Sequence, residues 1–393
     1  MSEPNVSIVG DRCCGCGACA AACPVSCIVV DADACGFVRP NYEGGCVGCG
    51  RCEQACPVLS VGDCDDEVSV CWAKAKDDNL RDRSSSGAAF GLLAKHVLGR
   101  GGAAYGAAFT DGCKAVQHVR VADEDDLEII MRSKYVQSSV GIDVYKGVEC
   151  DLRDGLQVLF SGTACQNAAM RNYLDLNKVP TQGLLLVDVI CHGVPSPRLW
   201  AEWLDYVSCF AGVEVDEVNF RSKSTGWLTY SVAYYVATEK VRSATNNHDW
   251  YMRAFLRNAS IRRSCLSCPA KRCCGSDITL GDFWGIQNAH PEAFDALGVS
   301  AVICNTKKGA VALHDLGDSV MFGPSTFDEV VEGNYALLHS VAPHPKREQF
   351  LNHLAEGKSI EYLMDTWEFK TPLKQRVKGK LSHIKHRILK SAQ

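Results

Sequence analysis

Residues 13–27 read CCGCGACAAACPVSC, and residues 46–60 repeat the pattern as CVGCGRCEQACPVLS. Cys13, Cys16, Cys19 and Cys23 are spaced C-x2-C-x2-C-x3-C and followed by Pro24; Cys46, Cys49, Cys52 and Cys56 keep that spacing and end at Pro57. Three thiolates so close in one loop can each reach a different corner of an iron-sulfur cube, and Gly15, Gly17, Gly48 and Gly50 let the backbone wrap it.

In such duplicated runs the proline-linked cysteine ligates the other cube. The spacing therefore predicts one 4Fe-4S cluster on Cys13, Cys16, Cys19 and Cys56, and a second on Cys46, Cys49, Cys52 and Cys23. Zinc sites use paired C-x2-C knuckles rather than four-thiol runs ending in Cys-Pro. Cys14, Cys27 and Cys35 are left over and read as small buried residues near the clusters. Two such clusters make a wire, because four thiolates leave each cube no open coordination site. The chemistry has to lie further along the chain.

The remaining composition agrees with a soluble, reduced environment. The chain has 393 residues and 23 cysteines, 47% hydrophobic and 22% charged residues, enough for more than one domain. No signal-peptide pattern opens it and no apolar run is long enough for a membrane span, so a cytoplasmic protein with metal-bound thiols is expected. Charge is polarised: residues 1–67 hold ten acids and three arginines, whereas residues 369–393 hold six lysines, two arginines and no acid. In that tail Val377, Leu381, Ile384 and Ile388 form one apolar stripe on a basic helix, a pattern that suits peripheral contact with a membrane surface, a partner groove, or packing on its own domain. No basic block carries interleaved aromatics, which excludes a nucleic-acid groove.

Beyond a polar linker the pattern alternates short apolar runs with helical stretches. Strands are predicted at 68–75, 103–109, 115–121, 156–162, 184–190, 231–237, 277–283 and 300–306, and helices at 87–98, 164–174, 197–207, 250–259 and 327–338. The fold class is α+β: a ferredoxin-like head (1–62), a mixed α/β body (68–340), and C-terminal helices (341–393). No G-x-G-x-x-G follows a strand, so the usual dinucleotide fingerprint is missing.

Five stretches carry chemistry. In SSSGAAF, Ser84, Ser85, Ser86 and Gly87 precede an apolar helix; Ser86 is predicted as its N-cap, and the first-turn amides suit a phosphate. RSKYVQSS offers Lys134 and Gln137, either a solvated loop or donors for the pyrimidine edge of a flavin. FSGTACQ places Cys165 in a first helical turn. VDVICHGVPSP places Cys191 at a strand end, with His192 beside it as a candidate proton donor or a structural histidine. SCLSCPAKRCC spaces Cys265 and Cys268 as ligands. Cys165, Cys191, Cys265 and Cys268 are either ordinary buried thiols or, if they converge at one edge of a sheet, the ligands of a third 4Fe-4S cluster.

The ordered series SSSGAAF, SKYVQS, GTACQ, VDVICHGVPSP, FRSKSTGW, SCLSCPA and DITLGDFWG, behind a two-cluster head, resembles the coenzyme F420 hydrogenase/dehydrogenase beta subunit family over roughly residues 1–340. It is most similar to the bacterial branch with an N-terminal ferredoxin domain; relatives include reductases of chlorophyll precursors. The resemblance implies FAD held by Ser84–Gly87, Lys134 and Gln137, and a third 4Fe-4S cluster on Cys165, Cys191, Cys265 and Cys268. Departures from the family pattern are Ala88, where a second glycine is common, Ala164 in place of proline, and Cys273 and Cys274, either of which could compete as a ligand. The function expected is an iron-sulfur flavoprotein oxidoreductase, moving electrons between a small-molecule hydride donor or acceptor at FAD and a one-electron carrier or redox partner protein. The alternative is an electron-transfer subunit without its own substrate, feeding a partner enzyme or a biosynthetic assembly.

Overall fold

A computed structural model describes residues 5–60, 69–271 and 274–369. The basic stripe at Val377–Ile388 and Cys273 lie outside the described residues. The architecture is α+β. In the head, β1 (Ile28–Ala32) and β2 (Val38–Tyr42) pair antiparallel. The body supplies β3 (Ser69–Ala75), β4 (Ala103–Thr110), β5 (Ala115–Val121), β6 (Val158–Thr163), β7 (Leu184–Val189), β8 (Glu217–Ser222), β9 (Ser231–Val236), β10 (Glu239–Thr245), β11 (Ile278–Asp282), β12 (Ser300–Cys304) and β13 (Val320–Pro324).

Eight of these form one sheet in the order β13-β3-β12-β11-β7-β6-β4-β5; β8, β9 and β10 form a separate antiparallel sheet. The centre of the large sheet, β4-β6-β7-β11, is parallel, and its flanks are antiparallel. Parallel strands are covered on both faces, which is why β6 (VLFSGT) and β7 (LLLVDV) read as continuous apolar runs. Their C-terminal ends lie side by side, Gly162 opposite Asp188 and Thr163 opposite Val189. Helix Ala89–Leu98 covers one face through Leu92, Leu93 and Val97.

The other face carries the head. Cys16, Ala18, Ala22 and Ala55 share a core with Val158, Phe160, Leu184 and Leu186 of β6 and β7. The Tyr145 hydroxyl donates to the Cys16 carbonyl at 2.9 Å, and Arg51 Nη2 donates to Asn177 Oδ1 at 2.6 Å. Helices Arg347–Ala355 and Ile360–Thr366 pack Phe350, Leu354 and Leu363 against Trp203 and Trp250, beside the small sheet. Among the described residues no helix is long and apolar enough to cross a membrane.

The predicted N-cap is corrected here. The helix starts at Ala89, with Ala88 before it at φ 69°, and the Ser86 hydroxyl donates to the Val299 carbonyl at 2.8 Å. Gly87 explains the shift: a Cβ there would lie 2.3 Å from the Ala73 carbonyl oxygen and 2.7 Å from Ser300 N. The segment is pressed between β3 and β12, so the chain turns into the helix only after clearing them. Ala88 therefore takes the left-handed conformation that glycine adopts at lower cost.

Candidate functional site

Three hollows are walled by thiols. Cys56 joins Cys13, Cys16 and Cys19 around a space of about 360 Å³, and Cys23 joins Cys46, Cys49 and Cys52 around one of about 330 Å³. The two repeats thus exchange their proline-linked cysteines. Short helices Ala18–Ala21 and Arg51–Gln54 set each crossing, entered through Gly17 and Gly50 in left-handed conformations. The inner hollow faces the body; the outer one opens beside Val25 and Val47, which are 46% and 63% exposed. Cys27 also lines the outer hollow, its sulfur 3.5 Å from that of Cys23. Cys35 lies elsewhere, its thiol against the Leu351 carbonyl.

The third space is an open cleft of about 800 Å³ beyond the C-terminal ends of β6 and β7, walled by Cys165, Cys191, Cys265 and Cys268. Each sulfur arrives by a different local device. Thr163 caps helix Ala164–Leu176 through a capping box with Gln166, which sets Cys165 in the first turn with its sulfur 3.2 Å from Thr163 Oγ1. Cys191 follows β7 directly, and its carbonyl accepts from Lys271 Nζ at 2.5 Å. Cys265 lies in the turn Arg263–Ser267, and Cys268 N donates to Ser340 Oγ at 2.9 Å. Burial pushes the thiols of Cys191 and Cys268 up and that of Cys265 to about 12. Bound cations relieve that penalty, since metals take cysteine as thiolate. Cys274 does not line the cleft; it is buried behind it, against Ser276 Oγ at 3.1 Å and beside Asp188. Among the described residues no three His, Cys, Asp or Glu side chains converge tightly enough for a single metal ion. A cube needs no such convergence, because it spreads its thiolates over separate irons. Each hollow is lined by five thiols, Cys14 being shared by the inner hollow and the cleft, so each can offer the four that a cube takes.

The same cleft holds two proton-carrying groups. His192 Nε2 lies 2.7 Å from Asn258 Oδ1, its ring meets Phe255 edge-on, and burial lowers its pKa. Asp188, on β7, is held by Thr279 Oγ1 at 2.6 Å, and burial raises its carboxyl to about 6. Sequence reasoning did not single out Asp188. The signal available was an acid inside an otherwise apolar strand.

The flavin candidates separate into two places. Ser85 Oγ accepts from Ser133 N at 2.8 Å, Gly87 N donates to Ser300 Oγ at 3.1 Å, and Ser84 Oγ donates to the Leu80 carbonyl at 2.7 Å. Around them stand Lys134, on the Met131 carbonyl, and Lys223, on the Ser86 carbonyl at 3.2 Å. Burial lowers Lys134 to about 7 and Lys223 to about 8; among the described residues neither lysine is within ion-pair distance of a carboxylate. Two half-buried cations without an ion-pair partner among the described residues fit an anionic group such as a dinucleotide pyrophosphate. Gln137 is elsewhere: Nε2 donates to the Cys14 carbonyl at 3.3 Å, and Oε1 accepts from Arg262 Nη1 at 3.2 Å.

Residues 155–324 match the family model for the C terminus of the coenzyme F420 hydrogenase/dehydrogenase beta subunit. The stretch runs from just before β6 to the end of β13, and so contains Cys165, Cys191, Cys265 and Cys268. A chain of the F420-reducing NiFe hydrogenase complex from Methanosarcina barkeri is similar at 18% identity and TM-score 0.48, covering 79% of this chain and 94% of that one, a likeness too distant to carry function. No curated protein matches the chain.

Proposed function

We propose that the protein is an iron-sulfur flavoprotein oxidoreductase, linking a hydride-exchanging small molecule at FAD to a one-electron carrier or partner protein. The observation that carries this reading is the convergence of Cys165, Cys191, Cys265 and Cys268, from three separate segments, on one cleft whose wall also includes Cys14 of the head. Clusters on the three thiol sets would supply one-electron transfer, and a flavin would supply the exchange between hydride and single electrons. Ser85, Lys134 and Lys223 would hold the flavin phosphates, on a Ser84–Gly87 turn whose other donors bond the protein. Asp188 and His192 would hold a proton at the cleft wall, Asp188 with its affinity set near neutrality by burial. Exposed Glu43, whose backbone N donates to the Cys27 carbonyl at 3.1 Å, puts negative charge beside the outer hollow. Negative charge there steers a basic-faced carrier to it.

The test is anaerobic purification with iron, sulfide and flavin measured on one sample. About twelve irons and one flavin per chain are expected; about eight irons and no flavin would overturn the reading and leave an electron-transfer subunit. Lys134 adds a pH signature. The unliganded protein loses its charge above about pH 7, so holding a phosphate there requires proton uptake. Affinity for FAD, followed by flavin fluorescence, is expected to fall by up to about tenfold per pH unit from about pH 7 to about pH 9. Lys134→Met should flatten that profile. A flat profile in the unsubstituted protein would remove Lys134 from the site.

A further inference from the structure

Arg262 ties the Cys13 loop of the head to the Cys265 turn of the body. It is 1% exposed. Nε donates to the Cys13 carbonyl at 2.8 Å and Nη1 to Gln137 Oε1 at 3.2 Å, while Nη2, buried, has no partner among the described residues. No carboxylate among the described residues pairs with it. Such a charge is costly to bury alone, and the usual remedy, a buried acid, is missing among the described residues.

The guanidinium lies over the Phe37 ring at 5.6 Å, and the segments that flank it carry thiols. Cys13 lines the inner hollow, and Cys14 lines both that hollow, with Cys16, and the cleft, with Cys165. The charge of Arg262 acts on Cys165 and Cys265 as well. A cube with four thiolate ligands is net anionic, and its potential depends on net charge and on the cations and donors around it. Two such anions would flank one unpaired cation.

We propose that Arg262 is the shared counter-charge of the inner head cluster and the body cluster, raising the reduction potential of both and holding the Cys13–Cys16 loop against the cleft. The proposal rests on the cluster assignments above. It makes Arg262 a positioning residue, with Gln137 orienting its guanidinium.

The test is a potentiometric titration followed by electron paramagnetic resonance, comparing unsubstituted protein with Arg262→Gln, Arg262→Lys and Gln137→Glu. Arg262→Gln should shift two of the three cluster potentials negative and leave the third, the outer cluster on Cys23, Cys46, Cys49 and Cys52, where it was. Arg262→Lys should restore most of the shift. Gln137→Glu keeps the arginine, sets a carboxylate against it and neutralises its charge, so the same two potentials should again move negative, even if Arg262→Gln fails to fold. Unmoved potentials, or an equal shift in all three, in either charge-removing variant would overturn the proposal. Fewer than about twelve irons in the unsubstituted protein would instead overturn the cluster reading beneath it.

Discussion

Cys265→Ser protein, purified without oxygen, is expected to hold about eight irons per chain in place of about twelve, with the head clusters intact. The hydroxyl is nearly isosteric with the thiol, so the turn Arg263–Ser267 and the Cys265 N to Arg262 O bond at 3.1 Å have no steric reason to move. The chemistry changes completely, because a soft thiolate that iron binds is replaced by a hydroxyl that stays protonated. The effect falls on one cube because Cys265 lines the cleft and neither of the head hollows. Cys209→Ser serves as control: Cys209 is exposed, near the C-terminal end of helix Pro197–Ala211, and its loss should leave about twelve irons. Retention of all the iron in the Cys265 variant would remove this thiol from the ligand set.

The second large effect is on stability, and the duplication provides its own control. Gly17 and Gly50 occupy equivalent places in the two repeats, at φ 80° and 71°. A Cβ on Gly17 would lie 2.7 Å from the Val140 carbonyl oxygen, whereas one on Gly50 meets nothing nearer than Gln54 Nε2 at 4.0 Å. Gly50→Ala should cost only the left-handed strain, about 1–2 kcal/mol. Gly17→Ala adds a backbone collision in the seam with the body and should cost at least about 3 kcal/mol. Denaturant unfolding of both anaerobic variants reads the difference. Equal losses would mean that the inner repeat is not seated on the body through Val140.

These contrasts mark how far the sequence could be read. Cysteine spacing is local, so the grouping of Cys13, Cys16 and Cys19 with Cys56 was legible without a structure. The central strands were legible for the same kind of reason, since burial on both faces leaves uninterrupted runs such as LLLVDV. The strands that escaped notice carry mixed signals. β10 (EKVRSAT) is largely exposed, β13 ends in Pro324 at the sheet edge, and β8 brings a buried Arg221 that pairs with Asp282 at 2.9 Å. The convergence of Cys165, Cys191, Cys265 and Cys268 could be posed from strand ends, but not that Cys268 lines the cleft and Cys274 does not, which depends on how the chain turns after Pro269. Arg262 was invisible for a plainer reason: its partner Cys13 stands 249 positions away, and nothing near Arg262 in sequence distinguishes it from Arg263. Ser86 failed as a cap because the contacts that displace the helix start come from β3 and β12, not from its neighbours.

The two nearly identical loops also age differently in air. Cys49 is exposed at the outer hollow, whereas Cys16, Cys19 and Cys56 of the inner one are each no more than 8% exposed. Oxidation of thiolates follows their accessibility, so damage starts at the outer loop and the inner loop is shielded by the body it sits on. With cubes bound, the outer one would then be the sacrificial end: a briefly oxidised sample is expected to lose it first and to keep the centres nearest the cleft.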